Sequence, residues 1–197
     1  SRRDSSVVLT SLALWSMPTF WVGMLLAFAF GVWWGVLPVS GITTPNAVYG
    51  NYATYVMDVA RHLVLPTLTL ALVDIAFFVL VARTALVEVM YEDFMLTARG
   101  KGLPRRRVIW RHGVRNALLP VVTVIGLSLG GLLSGAVLTE TIFNFAGVGR
   151  TISEAITARD YVVVQGFTVV VSIGYVVVNL LVDISYAYLD PRVRMEG

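Results

Sequence analysis

The chain has no cysteine, two histidines and few charges: 14% of its 197 residues are Asp, Glu, Lys or Arg. Without cysteine there is no disulfide, no thiolate metal site and no cysteine nucleophile. His62 and His112 are far apart, and neither H-E-x-x-H nor G-x-S-x-G occurs, so neither a metalloprotease nor a serine hydrolase has support. The phosphate-loop pattern G-x-x-x-x-G-K-[ST] is also missing. Gly147-Val148-Gly149-Arg150-Thr151 matches it in part and reads as a helix-entry turn, and Gly100 and Gly102 fail G-x-G-x-x-G because position 105 is Arg. The expectation is a chain with no catalytic residues, no metal site and no nucleotide site of its own. No signal-peptide pattern, repeat or low-complexity stretch stands out, and a start at Ser1-Arg2-Arg3 fits the remainder of a longer protein.

The scarcity of charge sets the class. Soluble domains carry about a quarter charged residues, whereas this chain is 57% hydrophobic with a mean hydropathy of +0.78. That composition describes an integral membrane protein. The net charge of +3 reflects loops on one side of a bilayer rather than nucleic-acid binding. Four apolar runs are long enough to cross about 30 Å of hydrocarbon as helices of about 20 residues. They cover about 7–37, 63–87, 117–138 and 161–189 of a single 1–197 transmembrane domain, joined by a cytoplasmic loop over 88–116. None alternates in the manner of a barrel strand, so the fold class is all-α and polytopic. The first run is over-long, and tilt or a kink at Pro18 absorbs the excess. Pro66 is placed in the first turn of the second, and Asp190-Pro191 closes the fourth.

Orientation follows from the cations. Arg2, Arg3, Arg192, Arg194 and seven in the central loop flank one side, against Arg61, Arg150 and Arg159 on the other. Both termini and the central loop are therefore cytoplasmic. Gly126, Gly130, Gly131 and Gly135 give the third run two G-x-x-x-G spacings, which bring helix backbones close either within this chain or at a subunit interface. Asp74, Arg83 and Asp183 lie within apolar runs, where charges face a cavity or a partner. Asp74, the deepest, either lines a translocation path or forms a structural pair. Arg83 and Asp183 sit near the cytoplasmic ends, where snorkelling or an interhelical pair suffices. Thr151–Asp160 reads as a short external helix, either solvated or in contact with a substrate-delivering protein.

The segment Asp93–Pro120 holds Arg99, Lys101, Arg105, Arg106, Arg107, Arg111 and Arg115. It reads as two short helices around a break. Glu92 and Asp93 favour a helix start, Gly100 and Gly102 interrupt it, and Pro104 opens a second helix with Val108, Ile109 and His112 on one face. Its arginines suit an interfacial helix on anionic lipid, and its rigid links to two spans suit a lever.

The ordered set of TARGKGL at Thr97–Leu103, RHGVRNALLP at Arg111–Pro120, SMPTFW at Ser16–Trp21, LPVSG at Leu37–Gly41, ETIFNFAGVGR at Glu140–Arg150, ARDYVVVQG at Ala158–Gly166 and LDPRVR at Leu189–Arg194 covers nearly the whole chain. It resembles the B-type permeases of the oligopeptide, dipeptide and nickel branch of binding-protein-dependent ABC importers. The resemblance implies that two amino-terminal spans of the family are absent here. It also implies a coupling helix at 92–102 seated on an ATPase, with Glu92, Asp93, Thr97, Ala98, Arg99 and Gly102 as its residues. Thr97 stands where the wider family has Glu. Further implications are import of di- or oligopeptides (nickel being the alternative within the family) and residence in a bacterial inner membrane. The implied partners are a second, homologous permease subunit, two ATPase subunits carrying ATP and Mg, an extracytoplasmic binding protein and membrane lipid. The rival classes are an ion-coupled secondary transporter using Asp74 or Asp183, and a scaffold whose basic loop binds only lipid.

Overall fold

The computed structural model describes residues 2–133 and 136–189, and every regular element among them is a helix. Gly135, Asp190-Pro191, the tail cations Arg192 and Arg194, and so most of the LDPRVR motif lie outside the described residues. Helices at Tyr52–Val89, Arg105–Leu132 and Tyr161–Tyr186 are long and apolar enough to cross a membrane, and a fourth span exists if the bent pair flanking Pro18 is counted as one. The described residues form two compact units, one of 2–12, 76–131 and 173–189, the other of 13–75, 132–133 and 136–172.

In the second unit, Pro18 breaks the first apolar run outright. Helix α1 (Arg2–Ser16) stops before it, and α2 (Thr19–Leu26) starts from Pro18 in extended backbone and continues as a π-helix, Ala27–Trp33. Proline donates no hydrogen bond and disfavours helical backbone in the residue before it. The helix ends at Trp33 rather than Leu37, and Gly35 turns the chain just beyond it with φ +61°.

Helix α3 (Tyr52–Val89) begins well before the expected Leu63. Asn51 caps it: its side-chain oxygen accepts the Thr54 amide at 2.9 Å, and its carbonyl accepts the Thr54 hydroxyl at 2.8 Å. Pro66 consequently lies in the helix interior, not in its first turn. Asp58 pins the preceding loop, accepting from the Thr44 amide and hydroxyl at 2.7 Å each and from the Tyr49 hydroxyl at 2.6 Å. That carboxylate holds the Tyr49 proton and raises its pKa above the usual 10.

Helices α7 (Val137–Ile142) and α8 (Val148–Ala158) form a knot around Glu140. Its carboxylate accepts the Arg150 amide at 2.6 Å, the Ala136 amide at 3.2 Å and, more weakly, the Gly149 amide at 3.4 Å. The helix-entry turn expected at 147–151 is thus the N-terminus of α8, which begins at Val148 rather than Thr151 and holds an internal anion. A Cβ on Gly147 would lie 2.3 Å from the Glu140 carboxyl carbon, so any other residue there would have to displace the carboxylate from this position. Glu140→Ala is expected to destabilise the protein by about 1–2 kcal/mol, the scale of a lost cap. The measurement is a lowered thermal midpoint, with Glu140→Gln closer to wild type; an unchanged midpoint for Glu140→Ala would reject the capping role. Phe143, 2% exposed, packs beneath this knot, and its carbonyl accepts the Gly41 amide at 2.8 Å.

In the first unit, α6 (Arg115–Leu133) and α9 (Tyr161–Leu189) meet along a seam. The Thr123 and Tyr186 hydroxyls are hydrogen-bonded. A Cβ on Gly126 would fall 2.2 Å from Val182, and one on Gly130 would fall 2.3 Å from Tyr175. The Gly126/Gly130 spacing therefore serves packing within the chain, whereas Gly131 faces open space. Helix α6 ends at Leu133, and Val137 and Leu138 begin α7 instead of completing the third span. Arg83, expected to snorkel or pair, makes a bidentate ion pair with Asp4 at 2.8 and 2.9 Å. Asp183 is exposed.

Candidate functional site

The segment between α3 and α6 folds as a short helix, a glycine turn and the first turns of a long helix. Helix α4 (Asp93–Gly100) has eight residues, too few to hold together alone in water. Tertiary packing supplies what length does not. Met95 is fully buried, Ala98 is 6% exposed and Val108 1%, and Val89, Met90 and Leu103 close around them. Burying Met95 contributes about 1.5–3 kcal/mol, enough to anchor one face of α4. Gly113 completes the socket, since a Cβ there would lie 3.3 Å from Leu86, 3.4 Å from Met95 and 3.5 Å from Met90.

The helix ends as its residues dictate. The Lys101 amide donates to the Thr97 carbonyl at 3.1 Å and the Gly102 amide to the Arg99 carbonyl at 3.0 Å, which tightens the last turn. Gly102 then takes φ +71°, a left-handed conformation that suits glycine. Pro104, in extended backbone, is the cap rather than the first residue of the next helix: α5 (Arg105–Arg107) follows it. A π-helical stretch, Val108–Val114, carries the chain from α5 into α6. Such stretches are uncommon and concentrate at functional sites.

The residues singled out in the sequence divide into two groups. Glu92 is the N-cap residue of α4 and Asp93 its first residue; both are exposed, and the Glu92 side chain makes no capping hydrogen bond. Thr97 is exposed and donates its hydroxyl to the Asp93 carbonyl at 3.1 Å. Arg99 is exposed and reaches back to the Met90 carbonyl at 3.3 Å, tying α4 to the end of α3. Gly102 is exposed at the turn. Ala98 differs. It points inward onto Met95 and Val108, so its small size seats α4 and presents nothing outward. Phe94 (41% exposed) and Leu96 (56%) face outward instead, and the motif did not single them out. They leave two apolar side chains uncovered beside the charged start of α4. The Met95, Ala98 and Val108 core could be read only once the turn at Gly102 had folded the second helix back onto the first.

The outward face of α4 offers carboxylates, a hydroxyl, a guanidinium and two apolar side chains, with no nucleophile–base pair. Met95 and Val108 connect α4 by direct packing to the helix that follows the Gly102 turn. Asp74, the other candidate, belongs to the other unit, on α3. It is half-buried and has no hydrogen-bond or ion-pair partner among the described residues.

A family model described as "Binding-protein-dependent transport system inner membrane component" matches residues 1–195. The chain is 42% identical to the dipeptide transport system permease protein DppB of Escherichia coli strain K12, over 97% of this chain and 61% of that protein. It is 41% identical to the di/tripeptide transport system permease protein DppB of Pseudomonas aeruginosa, over 97% and 61%. It is 36% identical to the oligopeptide transport system permease protein AppB of Bacillus subtilis, over 98% and 60%. The chain thus spans about three fifths of the length of these relatives.

Proposed function

From the membership of this chain in the binding-protein-dependent transport inner membrane component family, we propose that it forms the core of a permease subunit in an ATP-driven importer of di- or oligopeptides. The observation that carries the reading is α4, a packed short helix with an uncovered outer face, lying in the chain between two membrane-length helices. In this reading the outer face of α4, with Glu92, Asp93, Thr97, Arg99 and the Gly102 turn, seats against an ATPase subunit. ATP and Mg are bound and hydrolysed there, not on this chain. ATP-driven closure of the ATPase pair displaces α4, and the linked helices change their exposure to the two sides of the membrane. ATP shifts this equilibrium only through its different affinity for the two states. An extracytoplasmic binding protein delivers substrate, a homologous permease subunit completes the path, and both termini of the segment lie in the cytoplasm. The names of the relatives specify peptides, which favours peptide over nickel as cargo.

The deciding experiment is uptake of labelled dipeptide by the reconstituted complex with ATP supplied or withheld and with ion gradients collapsed. Uptake that follows ATP and ignores the gradients supports the importer. Uptake driven by a gradient without ATP supports the rival secondary transporter and overturns the proposal. Asp74 gives a second test, as a charge without a partner in an apolar helix marks a substrate or ion path. Asp74→Asn is expected to lower uptake about tenfold, the scale of one lost charged contact, while the complex assembles normally. Unchanged uptake would confine Asp74 to a structural role.

A further inference from the structure

Beyond the Gly102 turn, Pro104, Arg106, Arg107, Trp110 and Arg111 line an open cleft of about 700 Å³. The three arginines are exposed, and none of their guanidinium groups makes an ion pair or a hydrogen bond among the described residues. Arg107 and Arg111 are four apart, as are Arg106 and Trp110, so the four side chains share one flank of the helix. Guanidinium groups that line one cleft repel one another, and an anion bound among them relieves that repulsion. Each also presents a planar fork of donors that matches phosphate oxygens.

The position of the cleft selects the anion. The helix carrying it, Arg105–Leu132, is of membrane-spanning length and apolarity, so the cleft opens where that helix enters the bilayer. Trp110 is 66% exposed there, and an uncovered indole beside arginines suits the headgroup level of a membrane. We infer that this cleft binds the phosphate of an anionic phospholipid headgroup, with Arg106, Arg107 and Arg111 as donors and Trp110 against the glycerol and upper acyl region. The volume suits one headgroup. A zwitterionic lipid carries the same phosphate, but its ammonium group faces the arginines and weakens the contact. An acidic protein surface would satisfy the arginines equally well, yet it gives no reason for a membrane-level tryptophan in the same cleft. The inference does not depend on the importer reading, and the two fail separately.

The test is tryptophan quenching in the full-length protein, reconstituted in phosphatidylcholine vesicles containing either brominated phosphatidylglycerol or brominated phosphatidylcholine. Trp110→Phe supplies the baseline for the other tryptophans. Quenching of Trp110 by the brominated phosphatidylglycerol is expected to exceed that by the phosphatidylcholine about threefold or more, since each basic residue near an anionic surface contributes several-fold enrichment. The excess should vanish in Arg106→Gln/Arg107→Gln/Arg111→Gln, whose surface substitutions leave the helix intact. Equal quenching by the two lipids, or an excess surviving in the triple variant, overturns the proposal. Loss of the excess on adding about 10 mM inorganic phosphate at constant ionic strength would assign the cleft to free phosphate and overturn the lipid assignment. Its loss on binding the ATPase subunits would assign the cleft to a protein partner and overturn it equally.

Discussion

Gly102→Leu is expected to abolish peptide uptake while the protein still folds and inserts. The backbone at Gly102 has φ +71°, where a leucine costs about 1–2 kcal/mol. A typical domain has about 5–15 kcal/mol of stability in all, and α4 keeps its anchor through Met95, Ala98 and Val108. Nothing lies within 4 Å of a Cβ built at Gly102, so the side chain starts into open space. A loss of function beyond the backbone strain is then expected from a partner that covers this turn. A leucine wedge there should hold the ATPase off α4 and reduce transport at least about tenfold, since every 1.4 kcal/mol of lost docking is a factor of ten. Gly102→Asn separates the two effects, because asparagine tolerates the left-handed region and projects less bulk; it should retain intermediate uptake. The readouts are co-purification of the ATPase subunits and ATP-driven uptake. A Gly102→Leu complex that assembles and transports at the wild-type rate would remove the coupling assignment.

What the sequence revealed and what it hid divide along the range of the interactions. The break between α4 and α5 was readable because glycine and proline act on their own backbone: Gly102 and Pro104 end one helix and start the next wherever the rest of the chain goes. Membership of the membrane class was readable because charge scarcity is a bulk property. The start of α3 was missed for a different reason. Residues 52–62 include Asp58, Arg61 and His62, so the apolar window excluded them, although Asn51 and Thr54 form a local cap. The Pro18 break was anticipated only as a kink, because the apolar composition continues straight through it. Glu140 was hidden most deeply. Its carboxylate reaches amides nine and ten residues away, a pairing that depends on how α7 and α8 are folded together. The end of α8 was obscured too, since Arg159 takes the left-handed cap position that glycine or asparagine usually marks. At the candidate site the motif located the segment, but the direction in which each residue faces came only from packing. Ala98 turned inward, while Phe94 and Leu96 turned outward.

Gly126→Leu should have the other large effect, and on folding rather than on coupling. The seam between α6 and α9 rests on two glycines that let side chains of α9 lie against the α6 backbone, Val182 at Gly126 and Tyr175 at Gly130. Membrane helices associate through such close packing, because lipid is as apolar as leucine and removes the hydrophobic drive. A Cβ at Gly126 already falls 2.2 Å from a Val182 methyl, before the remaining leucine atoms are added. Valine is stiff about χ1 and cannot swing clear, so the helices must separate and the Thr123–Tyr186 hydrogen bond goes with them. Overpacking costs about 1–3 kcal/mol even where a core adjusts, and the lost seam contacts add to that. The expected outcome is poor recovery of folded protein from membranes and loss of uptake in proportion to that recovery. A complementary pair isolates the cause: Gly126→Ala alone should be clearly destabilised, and Gly126→Ala/Val182→Ala should regain most of the loss, because removing the two methyls opens the space that the new Cβ needs. Thermal stability of the purified protein measures both variants. If the double variant is no better than the sum of its parts, or if Gly126→Leu is recovered at the wild-type level, the close approach of α6 and α9 at this glycine is not what holds the unit together.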